Sequence, residues 1–247
     1  TKQYGHHKAV DKVNLHIKKG AIYGFIGRNG AGKTTCLKMI SGLARPTAGE
    51  IEMFGCKGKE LERIRSRVGC LIEAPGLYGN MNAYTNLKIK CELFGIRKKG
   101  YIEDILETVG LEGVGKKKTK HFSLGMKQRL GIGLALVGEP DLLVLDEPIN
   151  GLDPQGIAEV RDTIQRLRDE RNMTILISSH ILEELSKIAT DYGIIHNGSL
   201  LQELTSEELM KRCSERIEIE LIHPEQAVPI LDRMGFTNYQ VTDKSHI

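Results

Sequence analysis

The sequence predicts an α/β fold built on a mostly parallel sheet. Strand-like runs alternate with helical ones along most of the 247 residues, the pattern of a layered sheet with helices on its faces. Residues 142–145 are continuously apolar, as in a strand buried on both sides. A glycine-rich loop joins an apolar run at 21–26 to a helical pattern that begins at Lys33. The reading places the core domain at 1–204. A helical subdomain is inserted at about 81–137, and a short β-α-β extension, cut short, occupies 205–247.

The elements follow in order. Val13, Leu15 and Ile17 alternate as a strand, and a second strand covers 21–26. Cys36, Leu37, Met39 and Ile40 recur at helical spacing, giving a helix over 33–43. Strands are expected at 50–53 and 68–72. The strand signal then disappears, and 82–94, 102–109 and 123–137 read as helices. Beyond them come a strand at 142–146, a helix at 155–171, a strand at 174–178, a helix at 181–189 and a strand at 193–196. In the extension, 216–222 reads as a strand, 224–234 as a helix and 239–242 as a short strand. Thr1 lies close to the first motif residue, so an opening strand is expected to be missing ahead of it.

Composition narrows the classes. The chain is 40% hydrophobic and 27% charged, an ordinary soluble balance. A net charge of +3 gives no argument for nucleic acid. No apolar run reaches the roughly 18–20 residues of a membrane span, and no secretory signal is visible, which makes a cytosolic setting the default expectation. The five cysteines are scattered with no C-x-x-C pair, so they read as reduced thiols. His6-His7 lacks a third ligand nearby. The run Lys116-Lys117-Lys118-Thr119-Lys120 reads as a solvated face.

Three motifs carry chemistry. Gly27-Arg28-Asn29-Gly30-Ala31-Gly32-Lys33-Thr34-Thr35 fits G-x-x-x-x-G-K-[ST] between a strand and a helix. Glycines let the backbone wrap its N–H groups around a polyphosphate, and the helix N-terminus adds positive potential. Lys33 would reach the β- and γ-phosphates, and the Thr34 hydroxyl would ligate Mg²⁺. The buried strand at 142–146 ends in Asp146 and Glu147, which delivers two carboxylates to the sheet's carboxyl edge. Asp146 would hold Mg²⁺ through water, while Glu147 would orient and polarise an attacking water. Ser123 reads as the N-cap of a helix whose first turn Gly125 keeps accessible.

Glycine loop, helical insert, serine helix and Asp-Glu strand occur here in the order found in the ATP-binding subunits of ABC transporters. The resemblance covers about residues 4–204, and Gly151-Leu152-Asp153-Pro154 and His180 fit it as well. It implies ATP and Mg²⁺ as cofactors and a dimer, of this chain or with a similar subunit. It also implies an integral membrane permease as partner, no nucleic acid, and a place on the cytoplasmic face of the membrane. By the same resemblance, Tyr4 stacks on adenine. Ser123 and Gly125 bind the γ-phosphate held by the other subunit, Asp153 links the two sites, and His180 senses the γ-phosphate beside Glu147. Two positions depart from the general pattern. The serine helix opens Phe122-Ser123-Leu124-Gly125-Met126 rather than Leu-Ser-Gly-Gly-Gln, and Glu73 replaces a glutamine that touches Mg²⁺. Both departures resemble the ATPases of bacitracin-resistance and lantibiotic-immunity exporters, which implies export of an antimicrobial peptide. The alternatives are an exporter of unrelated cargo and a soluble ATPase of the same type acting on nucleic acid or ribosomes. A GTPase is disfavoured, since no Asn-Lys-x-Asp element is present.

Overall fold

The computed structural model describes residues 1–212, 219, 221 and 224–236. The chain opens with a hairpin of β1 (Lys2–Tyr4) and β2 (His7–Val10). Strand β3 (Ile22–Ile26) runs into the glycine loop and α1 (Lys33–Ile40). A two-residue ribbon, β4 (Glu52–Met53) and β5 (Cys56–Lys57), leads to α2 (Leu61–Ile64) and β6 (Val68–Leu71). Three helices follow, α3 (Ala83–Leu93), α4 (Tyr101–Thr108) and α5 (Leu124–Leu136). The chain then alternates through β7 (Leu142–Asp146), α6 (Pro154–Arg171), β8 (Thr174–Ser179), α7 (Leu182–Ser186) and β9 (Asp191–His196). It continues in β10 (Ser199–Thr205), α8 (Ser206–Arg212) and α9 (Pro224–Arg233).

Six strands form one sheet in the order β10-β9-β3-β8-β7-β6. All pairs are parallel except β9 with β10. Every residue of β7 and β8 is buried, which is why both read as near-continuous apolar runs. Val160, Ile164 and Leu167 present one buried stripe of α6 at the spacing of a helix face. Helix α5 lies so close to β6 that a Cβ on Gly69 would come 2.1 Å from the Ala135 carbonyl oxygen. One on Gly131 would come 2.8 Å from Pro75.

Contacts divide the chain into Thr1–Ser206 and Glu207–Ile247. The second unit contains α9 and all of α8 but its first residue. The strands expected at 216–222 and 239–242 lie outside the described residues, except Ile219 and Leu221, which are in no strand. Among the described residues no helix is long and apolar enough to cross a membrane.

Several expectations shift. Residues 13–17 belong to no strand. Val13, Leu15 and Ile17 still turn towards the core, so the alternation recorded burial rather than a ladder. The strand expected at 50–53 shrinks to β4, and the helix at 181–189 shortens to α7. The hairpin β1–β2 and the edge strand β10 were not expected. β10 supplies Glu203 to a buried partner. The hydroxyl of Tyr23, on β3, donates to Glu203 Oε1 at 2.6 Å, and His16 Nδ1 lies 2.8 Å from Oε2.

Burial alone would raise the Glu203 carboxyl, but the bonds from His16 and Tyr23 outweigh it and hold the group below its ordinary range. The folded-state value is therefore depressed. This contribution to stability is present above the unfolded carboxylate range and is lost as pH falls through the folded value. Glu203→Gln should cost about 1–3 kcal/mol at neutral pH and flatten the acid side of a urea-midpoint series. An unchanged slope would show that Glu203 is not linked to folding.

Candidate active site

The carboxyl ends of three adjacent strands, β3, β8 and β7, converge. Ile26 pairs with Ser179, and Asp146 pairs with Ser178. The Gly27 N–H donates to the Ser179 carbonyl at 3.3 Å, which anchors the loop's first residue to the sheet. Gly32 has φ 104°, and a Cβ there would lie 2.5 Å from the Ala9 carbonyl oxygen. Only glycine accepts both conditions. Asn29 and Gly30 form the exposed crest, Ala31 is buried, and Thr34 and Thr35 open α1 half-buried.

Lys33 is 5% exposed and bends back over the loop. Its Nζ donates to the Gly27 carbonyl at 2.6 Å and the Arg28 carbonyl at 3.2 Å, and lies 3.0 Å from Glu147 Oε1. The other Glu147 oxygen, Oε2, is 2.8 Å from His180 Nδ1. One carboxylate is thus clasped between a lysine and a histidine. Glu147 adopts φ 49°, a left-handed conformation that needs outside support in a non-glycine residue. Ser178 supplies it, since the Glu147 N–H lies 3.2 Å from the Ser178 carbonyl oxygen and 3.0 Å from its hydroxyl.

Thr34 donates to Asp146 Oδ2 at 2.8 Å, and Ser178 donates to Oδ1 at 2.6 Å. A hydroxyl and a carboxylate in contact form a hard-oxygen pair suited to Mg²⁺. Among the described residues no group of three or more His, Cys, Asp or Glu side chains could hold a metal. Mg²⁺ that keeps several waters and binds phosphate oxygens needs no such cage. Glu73 takes a left-handed φ of 62° in the loop after β6, and its Oε1 lies 2.5 Å from Lys38 Nζ. That bond raises the Lys38 pKa.

The remaining expected residues form a second group. Ser123 caps α5, accepting from the Met126 N–H at 3.2 Å, and is exposed. Asp153 caps α6, accepting from the Gly156 N–H at 3.1 Å. A Cβ on Gly125 would lie 3.5 Å from the Gly156 Cα, so the two helix starts meet there. Tyr4 is half exposed at the end of β1, with Lys2 Nζ 4.9 Å from its ring centroid.

Sequence reasoning passed over Ser178 and Lys38. Ser178 was visible as a polar residue ending the apolar run of β8. Lys38 had no signal beyond lying one turn after Thr34 on the same helix face.

Comparison with known proteins accords with this geometry. Residues 10–150 match the family model described as ABC transporter. The chain is 50% identical over 234 residues to the bacitracin transport ATP-binding protein BcrA of Bacillus licheniformis, covering 94% of this chain and 76% of that protein. It is 45% identical over 203 residues to the lantibiotic transport ATP-binding protein SrtF of Streptococcus pyogenes, covering 82% and 86%. A solved structure of an ATP-binding subunit of an ABC transporter superposes with a TM-score of 0.73 at 29% identity, over 85% of this chain and 88% of that one. The chain therefore belongs to the ABC transporter family, as an ATP-binding, ATP-hydrolysing subunit.

Proposed function

We propose that this subunit hydrolyses MgATP in a dimer and drives a membrane permease that exports an antimicrobial peptide of the bacitracin or lantibiotic type. The observation that carries the catalytic part is the Glu147 carboxylate, clasped at 3.0 Å and 2.8 Å between Lys33 and His180. In this reading the loop N–H groups and Lys33 hold the β- and γ-phosphates. Glu147 accepts the proton of the attacking water, and His180 fixes the carboxylate's orientation. Thr34 and Asp146 would hold Mg²⁺, which would neutralise charge on the phosphates when bound. Glu73 would join that set by leaving Lys38. Ser123 and Gly125, with Asp153 beside them, would close over the nucleotide of the other subunit. Tyr4 would stack on adenine. Closure is driven only to the extent that ATP binds the closed dimer better than the open one. The subunit would then sit on the cytoplasmic face of the membrane, held by its permease.

Support for the cargo comes from the relatives named for bacitracin and lantibiotic transport, together with Glu73 and the Ser-Leu-Gly-Met helix start. The test is a sensitivity panel. A susceptible Gram-positive host carries the operon with either the wild-type subunit or Glu147→Gln, and is challenged with bacitracin, lantibiotics and unrelated toxic compounds. Protection against one peptide class, lost in the mutant, is the expected result. Equal sensitivity to every peptide would overturn the cargo assignment and leave the ATPase standing.

A further inference from the structure

Helix α1 hands a partner to each acid at the carboxyl edge of the sheet. Lys33 meets Glu147, and Thr34 meets Asp146. One turn after Thr34 and on the same face, Lys38 meets Glu73, its Nζ 2.5 Å from Oε1. Among the described residues neither the Lys38 nor the Glu73 side chain has a second partner. The loop carrying Glu73 is anchored on both sides. Leu71 pairs with Leu145, next to Asp146, and Pro75 rests against α5 at Gly131. The chain between these anchors leaves Glu73 beside the strand that ends in Asp146.

The three contacts differ in shelter. Lys33 and Asp146 are each 5% exposed, whereas the Lys38 and Glu73 side chains are 34% and 66% exposed. An exposed ion pair contributes little and opens readily. Lys38 nonetheless brings a full positive charge to the neighbourhood of the Thr34–Asp146 pair, and Asp146 acts on that charge as Glu73 does. A cation beside hard oxygens opposes the binding of a second cation. With Lys38 gone, Thr34, Asp146 and Glu73 would together offer a hydroxyl and two carboxylates, a set that suits Mg²⁺ without any phosphate.

We propose that Lys38 is a positioning residue that parks Glu73 and keeps the empty site from collecting a divalent cation. Nucleotide phosphates bring the negative charge that tips this balance. The Glu73 carboxylate is then free to turn from Lys38 towards Thr34 and Asp146. The divalent cation is thereby taken up with the nucleotide and not ahead of it. The inference rests on the reading of Thr34 and Asp146 as the Mg²⁺ site.

The experiment titrates the full chain with Mn²⁺, read by electron paramagnetic resonance of the free ion, without nucleotide and with a non-hydrolysable ATP analogue. Wild type with the analogue should hold more Mn²⁺ than the analogue alone, and should bind it weakly without nucleotide. Without nucleotide, Lys38→Met should bind Mn²⁺ about tenfold more tightly than wild type, and Lys38→Arg should match wild type. Lys38→Met combined with Glu73→Asp keeps the net charge of Lys38→Met but shortens the carboxylate arm, and should lose most of the increase. Methionine and arginine are both good helix formers, and thermal unfolding checks that each variant is folded. Unchanged nucleotide-free affinity in Lys38→Met would overturn the proposal. So would an increase kept in full by the double variant, since Lys38 would then be a background charge and Glu73 no ligand. Either result, with nucleotide-dependent Mn²⁺ binding intact in wild type, leaves the metal-site reading standing. Wild type that holds no extra Mn²⁺ with the analogue would overturn that reading and the proposal together.

Discussion

Glu147→Gln is expected to lower ATP turnover about 10²- to 10⁴-fold while leaving nucleotide binding in place. The amide has nearly the shape of the carboxylate. It can keep the left-handed backbone at this position and the two contacts from the Glu147 N–H to Ser178. What disappears is the charge clasped by Lys33 and His180, and with it the group able to accept a proton from water. With product formation blocked, MgATP should accumulate the closed dimer. Phosphate release measured at saturating ATP, alongside size-exclusion chromatography with MgATP, reads both effects. Turnover close to wild type would remove Glu147 from the role of base.

Lys33→Ala should act on binding instead. The side chain is the buried cation of the glycine loop, within reach of two loop carbonyls and of Glu147. Hydrogen bonds to charged groups contribute about 1.5–3 kcal/mol each, so losing the phosphate contact should weaken ATP affinity about 10- to 100-fold. The substitution also leaves Glu147 Oε1 without its cation. Lys33→Met keeps most of the volume and separates loss of charge from loss of packing. Equilibrium titration with a non-hydrolysable ATP analogue, paired with thermal unfolding, decides the matter. Unchanged affinity in a folded variant would exclude Lys33 from the phosphate site.

Most of the sheet was legible because its central strands are buried on both faces and carry little but apolar residues. The glycine loop was legible because its backbone path admits few residue types. Asp146 and Glu147 were legible as acids ending a buried strand. The edges were not. β10 mixes three leucines with polar residues and shows no clean alternation, and it is set by antiparallel pairing with β9, while its Glu203 reaches Tyr23, 180 residues away. The 13–17 segment misled in the other direction, since half-burial imposes a two-residue period whether or not a ladder forms. Within the site, Ser178 went unread because its role lies in what it holds: it supports Asp146 and Glu147 at once. The pairing of Glu73 with Lys38 joins residues 35 positions apart, and no local pattern encodes it.

The contact between Gly69 and Ala135 sets a limit on mutational tolerance. Helix α5 begins beside Ser123 and reaches Ala135 about 18 Å further along its axis, and there its backbone rests on the Cα of an edge strand. A methyl group at Gly69 would press on a carbonyl, which cannot swing aside as a side chain can. The helix would have to lift or slide, carrying Ser123 with it and loosening Gly131 from Pro75, two residues beyond Glu73. A position that touches no proposed ligand should thus rank among the least replaceable in a scan of single substitutions. Exposed neighbours on the same strand connections should accept change freely.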